Sequence, residues 1–171
     1  MRVIEGEMEV KKRSELVSEM TVDRIQFKPE WVHQKGWKVV PVETGMSFSE
    51  EDIKNIVTGL RRFGFSECFA IATEVLDPLP ICYALEITEE DFREFNRNCG
   101  LFWFFITDEQ RSWAISCNNN YNLFAGKPEL LESMLGKPIE EARAEYLSFA
   151  TALAKEPDEP LLQVAKHYAA L

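Results

Sequence analysis

The side chains that could carry chemistry are few, and their spacing argues against catalysis. The two histidines, His33 and His167, lie far apart, and neither belongs to a metal-ligand pattern such as His-x-x-x-His. No metal centre and no cofactor are expected. A nucleophilic cysteine needs a helix N-terminus or a basic neighbour to favour its thiolate. Cys117 is the best placed of the four, beside the polar turn Asn118–Asn120. Even so, Cys68, Cys82, Cys99 and Cys117 all stand in apolar or element-terminal contexts with no Cys-x-x-Cys pair, which reads as reduced, buried small hydrophobes. There is no Gly-x-Ser-x-Gly elbow, and Gly126-Lys127-Pro128 lacks the glycines and following Ser or Thr of a P-loop. The adjacent pairs Glu50–Glu51 and Glu89–Glu90 cannot face each other on a helix, so they read as capping charges rather than acid/base pairs.

Three groups of residues could serve recognition instead. Trp103 and Trp113, with Phe102, Phe104, Phe105 and Cys117, could line an aromatic ligand pocket, although the same residues make an ordinary core. Asn118, Asn119, Asn120 and Tyr121 form a polar turn able to hydrogen-bond a partner. Glu89, Glu90 and Glu94 belong to a stretch, Asp77 to Cys99, with six acids against two arginines, whereas residues 1–40 are nearly neutral. The net charge of −10 opposes nucleic-acid binding, where Lys and Arg contacts to phosphate supply most of the affinity. It suits a basic protein partner, whose association an acidic face would accelerate.

The elements that must position these residues follow from periodicity and punctuation. Leu101–Thr107, Ser112–Cys117 and Tyr121–Ala125 read as three consecutive antiparallel strands, apolar on both faces, joined by the turns 108–111 and 118–120. Residues 37–42 read as an edge strand, because Pro41 cannot donate to a ladder. Cys68–Leu76 and Ile81–Ile87 are neighbouring strands around the turn Asp77–Pro80. Helices are expected from Ser49 to Gly64 and from Thr88 to Gly100, each opened by a hydroxyl cap and three acids, from Pro128 to Gly136, and from Pro138 to Leu153. Lys155–Pro160 reads as a short linker to a last helix over Leu161–Leu171. Met8–Met20 holds neither a strand nor a helix period and stays unassigned; in Phe27–Trp37, Pro29 opens and Gly36 closes a short turn.

These readings add up to an α+β fold: an antiparallel sheet of about five or six strands, packed helices and a helical C-terminal third. A chain of 171 residues is expected to be a single domain, able to bury about 70% of its unfolded surface. No run is long and apolar enough for a membrane span or a signal peptide, which makes the expected location cytoplasmic and the expected state a monomer or homodimer. In size, acidity and lack of catalytic motifs the chain is similar to small bacterial immunity proteins that neutralise a toxin, a likeness of composition without a shared motif. That resemblance implies a non-catalytic inhibitor of a basic protein. The rival expectation is a small-molecule-binding domain or minor enzyme at Trp103, Trp113 and Cys117.

Overall fold

A computed structural model describes residues 1–43, 47–74, 81–99, 103–157 and 159–171. Within them the chain forms one seven-stranded, wholly antiparallel sheet and seven helices, the α+β architecture expected. The strands are β1 (Arg2–Val3), β2 (Lys38–Glu43), β3 (Glu67–Ala72), β4 (Cys82–Glu86), β5 (Phe104–Thr107), β6 (Trp113–Cys117) and β7 (Tyr121–Gly126), in the spatial order β1-β4-β3-β5-β6-β7-β2. The helices are α1 (Glu7–Met20), α2 (Pro29–Lys35), α3 (Glu50–Arg62), α4 (Glu89–Cys99), α5 (Pro128–Leu135), α6 (Ile139–Leu153) and α7 (Pro160–Ala169).

The β5-β6-β7 meander holds the middle of the sheet, and nearly every residue in it is buried. Two apolar layers explain why both faces of these strands are apolar. Ala70, Phe104, Ile106, Trp113, Ile115 and Phe124 face α3, α4 and α5, while Phe69, Phe105, Ala114, Leu123 and Ala125 face α1, α2 and α7. Helix α6 wraps the β2 edge, giving Ile139 and Ala142 to the first layer and Tyr146 and Ala150 to the second. Strand β2 is an edge, as Pro41 requires. Its outer side is blunted further by Arg143, whose guanidinium donates to the Val39 carbonyl at 3.1 Å.

Two segments differ from expectation. Met8–Met20 lies in α1, a helix that buries only Val10, Val17 and Met20. So narrow a stripe gives a weak period, and docking on the sheet supplies what the pattern lacks. Pro29–Lys35 is a short helix rather than a turn, with Pro29 at its start and Gly36 closing it at φ 61° in the left-handed region. The strand β1 adds a seventh to the five or six expected. The expected turn at Asp77–Pro80, the helix stop at Gly100 and the residues Leu101 and Phe102 lie outside the described residues.

Helix α7 packs on its own chain, burying Ala165 and Tyr168 against the second layer. The Tyr168 hydroxyl accepts from the Phe27 N–H at 3.3 Å. The helices α3 and α5 approach so closely that Gly59 lies against the Ser133–Met134 backbone, where a Cβ would come within 2.7 Å.

Candidate functional site

The ends of β3 and β4 border a cleft of about 700 Å3, walled by the 64–67 loop, α1, β1 and the β5–β6 turn. Its charged lining is mostly acidic: Glu67, Glu86, Asp91, Asp108 and Glu109, against Arg2, Arg13 and the Met1 amino group. Asp108 is spent on its own turn, accepting from the Ser112 N–H at 2.7 Å and from the Ser112 hydroxyl at 2.8 Å. That turn is also pinned from outside. Arg111, in the left-handed region at φ 55°, sets its guanidinium 5.2 Å from the Trp31 ring centroid and pairs with Glu19. Glu109 pairs with Arg13 at 2.5 Å and with Lys12 at 3.6 Å, and Arg13 also reaches Glu9 at 2.6 Å. Asp91 accepts from the Glu86 N–H at 2.8 Å and from the Met1 amino group at 2.7 Å.

Glu67 and Glu86 remain. They are exposed, they face each other across the β3–β4 ladder, and neither makes an ion pair among the described residues. The Ile87 N–H donates to the Ser66 carbonyl at 2.8 Å, so the next pair along the ladder is the non-hydrogen-bonded kind, whose side chains stand closest. Two like charges in that position repel and cost stability rather than adding to it.

The acids singled out on α4 behave differently from one another. Glu89 pairs with Arg93 at 2.7 Å, and Arg93 also reaches Glu50 at 2.8 Å, holding the Glu50 carboxyl below its ordinary range. Glu94 binds the Met1 amino group at 3.1 Å, whose proton affinity Asp91 first, then Glu94, raises. Of the three, only Glu90 has no ion pair among the described residues, and it is exposed.

The polar turn is built as its residue types dictate. Asn118 is buried, and its Oδ1 accepts from the N–H groups of Asn120 at 2.9 Å and Tyr121 at 3.1 Å, while Asn119 and Asn120 face solvent. Tyr121 is buried, and burial raises its hydroxyl above the ordinary range.

The aromatic trio is not gathered into one wall. Trp113 is wholly buried in the first layer, edge-on to Phe65 with ring centroids 6.3 Å apart. Cys117 lies four residues away at the other end of β6, opposite Phe104, and Trp103 directly precedes Phe104. Burial pushes the Cys117 thiol well above the ordinary range, away from the thiolate that nucleophilic chemistry needs. Burial likewise raises Cys68, takes Cys82 up to about 12 and Cys99 to about 11. All four thiols are free.

No group of three or more His, Cys, Asp or Glu among the described residues could hold a metal ion, and no helix among them is long and apolar enough to cross a membrane. Comparison with protein-family models, curated proteins and solved structures finds no match. Sequence reasoning found the acidity of α4 but missed Glu67, which sits alone between Ser66 and Cys68 with no motif around it. Only the β3–β4 register brings it against Glu86.

Proposed function

We propose that this chain is a non-catalytic protein-interaction domain that binds a basic partner in the cytoplasm, as an immunity-type inhibitor would. The uncompensated Glu67–Glu86 pair carries the reading. A lysine or arginine of a partner entering the cleft would relieve the repulsion between the two carboxylates and gain two charge-assisted hydrogen bonds. Glu90 extends the negative potential along the exposed side of α4 and would raise the association rate more than the final affinity. The −10 net charge acts in the same direction, and no observation favours nucleic acid as the partner.

The test is affinity capture from a lysate of the native organism on wild-type protein and on the double variant Glu67→Gln/Glu86→Gln, each washed at low and at high salt. A basic protein retained by the wild type, released at high salt and bound at least tenfold more weakly by the variant is the expected result. Equal retention by the variant, or no basic protein on the wild type, overturns the reading.

A further inference from the structure

The strands that carry Glu67 and Glu86 treat their outward backbone groups differently. In the β3–β4 ladder the hydrogen-bonded pairs fall on the even residues of β3: the Ala72 N–H donates to the Ile81 carbonyl at 2.8 Å, and the Ile87 N–H donates to the Ser66 carbonyl at 2.8 Å. Glu67 and Glu86 therefore turn their own N–H and C=O groups away from each other, out of this ladder. Glu86 is satisfied within the chain, since Asp91 accepts from its N–H at 2.8 Å and its carbonyl accepts from the Thr88 N–H at 2.8 Å. Glu67 faces the side of β5, where the ladder runs only from Ala72–Phe104 to Phe69–Thr107. The residue that would come opposite Glu67 is Glu109, which belongs to the β5–β6 turn. The Glu67 N–H and C=O accordingly have no hydrogen-bond partner among the described residues.

The space beside Glu67 is open. The residue is exposed and lines one side of the cleft of about 700 Å3, with Asp108, Glu109 and Gln110 lining another. A free N–H and C=O on the outer side of one strand residue are the pair that one residue of an extended chain satisfies, by exchanging both bonds with it. Strand alternation then fixes where the guest side chain goes: on the face of Glu67, Glu86 and Phe69, with its Cβ about 5 Å from that of Glu67. Two carboxylates without an ion pair among the described residues stand there, so the side chain that fits is cationic. Arg13, whose guanidinium lies 5.4 Å from the Phe69 ring centroid on the same face, is already held by Glu9 and Glu109 and leaves both carboxylates to the guest.

We infer that the basic partner enters this cleft with an extended segment, one residue of which pairs its main chain with Glu67 and sends a lysine or arginine side chain to the Glu67 and Glu86 carboxylates. The inference rests on the reading of the cleft as the contact with a basic partner, and it adds the form in which the partner arrives: a strand-like backbone as well as a charge.

The experiment is an NMR titration of the 15N-labelled chain with Ac-Gly-Lys-Gly-NH2, with the same peptide N-methylated at the lysine nitrogen, and with Ac-Gly-Ala-Gly-NH2. The lysine peptide should shift the Glu67 amide signal saturably and slow its hydrogen exchange. The N-methyl peptide keeps the charge and loses the donor, and should bind about tenfold more weakly. The alanine peptide keeps the donor and loses the charge, and should also bind about tenfold more weakly. The variant Glu67→Gln/Glu86→Gln keeps the Glu67 backbone and should bind the lysine and alanine peptides alike. Equal binding of the lysine peptide and its N-methyl form overturns the inference and leaves the charge reading standing. Equal binding of the lysine and alanine peptides to the wild type overturns the charge reading and the inference with it. A Glu67 amide that no peptide moves also overturns the inference, as does one that shifts with protein concentration alone, which would assign the free strand edge to a second copy of the chain.

Discussion

Helices α3 and α4 begin with nearly the same words, Ser49-Glu50-Glu51-Asp52 and Thr88-Glu89-Glu90-Asp91, and use them differently. At α3 the capping box closes on itself: Ser49 Oγ accepts from the Asp52 N–H at 3.1 Å, and Asp52 accepts from the Ser49 N–H at 2.9 Å. At α4 the first half is kept, with Thr88 Oγ1 accepting from the Asp91 N–H at 3.2 Å. The Asp91 carboxylate turns outward, to the Glu86 N–H and the Met1 amino group. A cap signature thus specifies where a helix starts, while the use of its acid depends on which donors the fold brings near. Beside α4 lies the edge of β4, whose Glu86 N–H has no strand partner on that side, and Asp91 covers it. Arg93 then ties the two helix starts together through Glu50 and Glu89, and the Asn96 side chain exchanges hydrogen bonds with the Phe48 backbone at 2.7 and 3.1 Å.

The contrast can be broken at either helix. The largest effect is expected where α3 depends on close packing. Gly59→Ala places a methyl 2.7 Å from the α5 backbone and should cost roughly 3 kcal/mol by urea denaturation. A loss below roughly 1 kcal/mol would mean that α3 and α5 separate easily.

The capping acids come next. Asp91→Ala should cost roughly 2 kcal/mol because it strips two charge-assisted hydrogen bonds, and Asp52→Ala roughly 1, as for an ordinary cap. Equal losses in the two urea midpoints would remove the tertiary role assigned to Asp91.

The last effect vanishes at neutral pH and is confined to alkaline solution. Cys99, at the end of α4, is buried and its pKa is raised from the ordinary 9.0 to about 11, with a Tyr83 hydrogen bond partly opposing the rise. An unfolded thiol therefore loses its proton first. The stabilisation is complete below pH 9.0 and is lost as pH rises through about 11, at about 1 kcal/mol per pH unit. Cys99→Ala should flatten that part of the slope of stability against pH, leaving the parts due to Cys68, Cys82 and Cys117, whose thiols burial raises as well. An unchanged slope in Cys99→Ala would place the alkaline loss elsewhere.

Much of this fold is legible in the residues. The β5-β6-β7 meander, the β3–β4 pairing, the edge position of β2 and the starts of α3 and α4 all follow from local signals: apolar runs, a proline, hydroxyl caps and asparagine turns. The helix α1 does not, because Val10, Val17 and Met20 form a stripe one residue wide along a charged helix, and its burial comes from the sheet beneath. The candidate sites were legible as lists but not as places. Glu89 and Glu94 proved to be internally bonded, and Trp113 and Cys117 stand at opposite ends of one strand. Trp103 and Asn118 stand side by side only because Phe104 and Cys117, their neighbours along the chain, pair across β5 and β6.

What the sequence alone determined is what one chain segment can decide with its own neighbours: element type, where helices begin, which strands are covered on both faces, and the acidic balance. Such features depend on contacts within a few residues, where spacing along the chain and distance in space are nearly the same. Only the tertiary structure decided the strand order, the confrontation of Glu67 with Glu86, the outward turn of Asp91 and the adjacency of Trp103 and Asn118. Those depend on register between segments distant in sequence, and register is set by how whole faces pack rather than by any residue on its own.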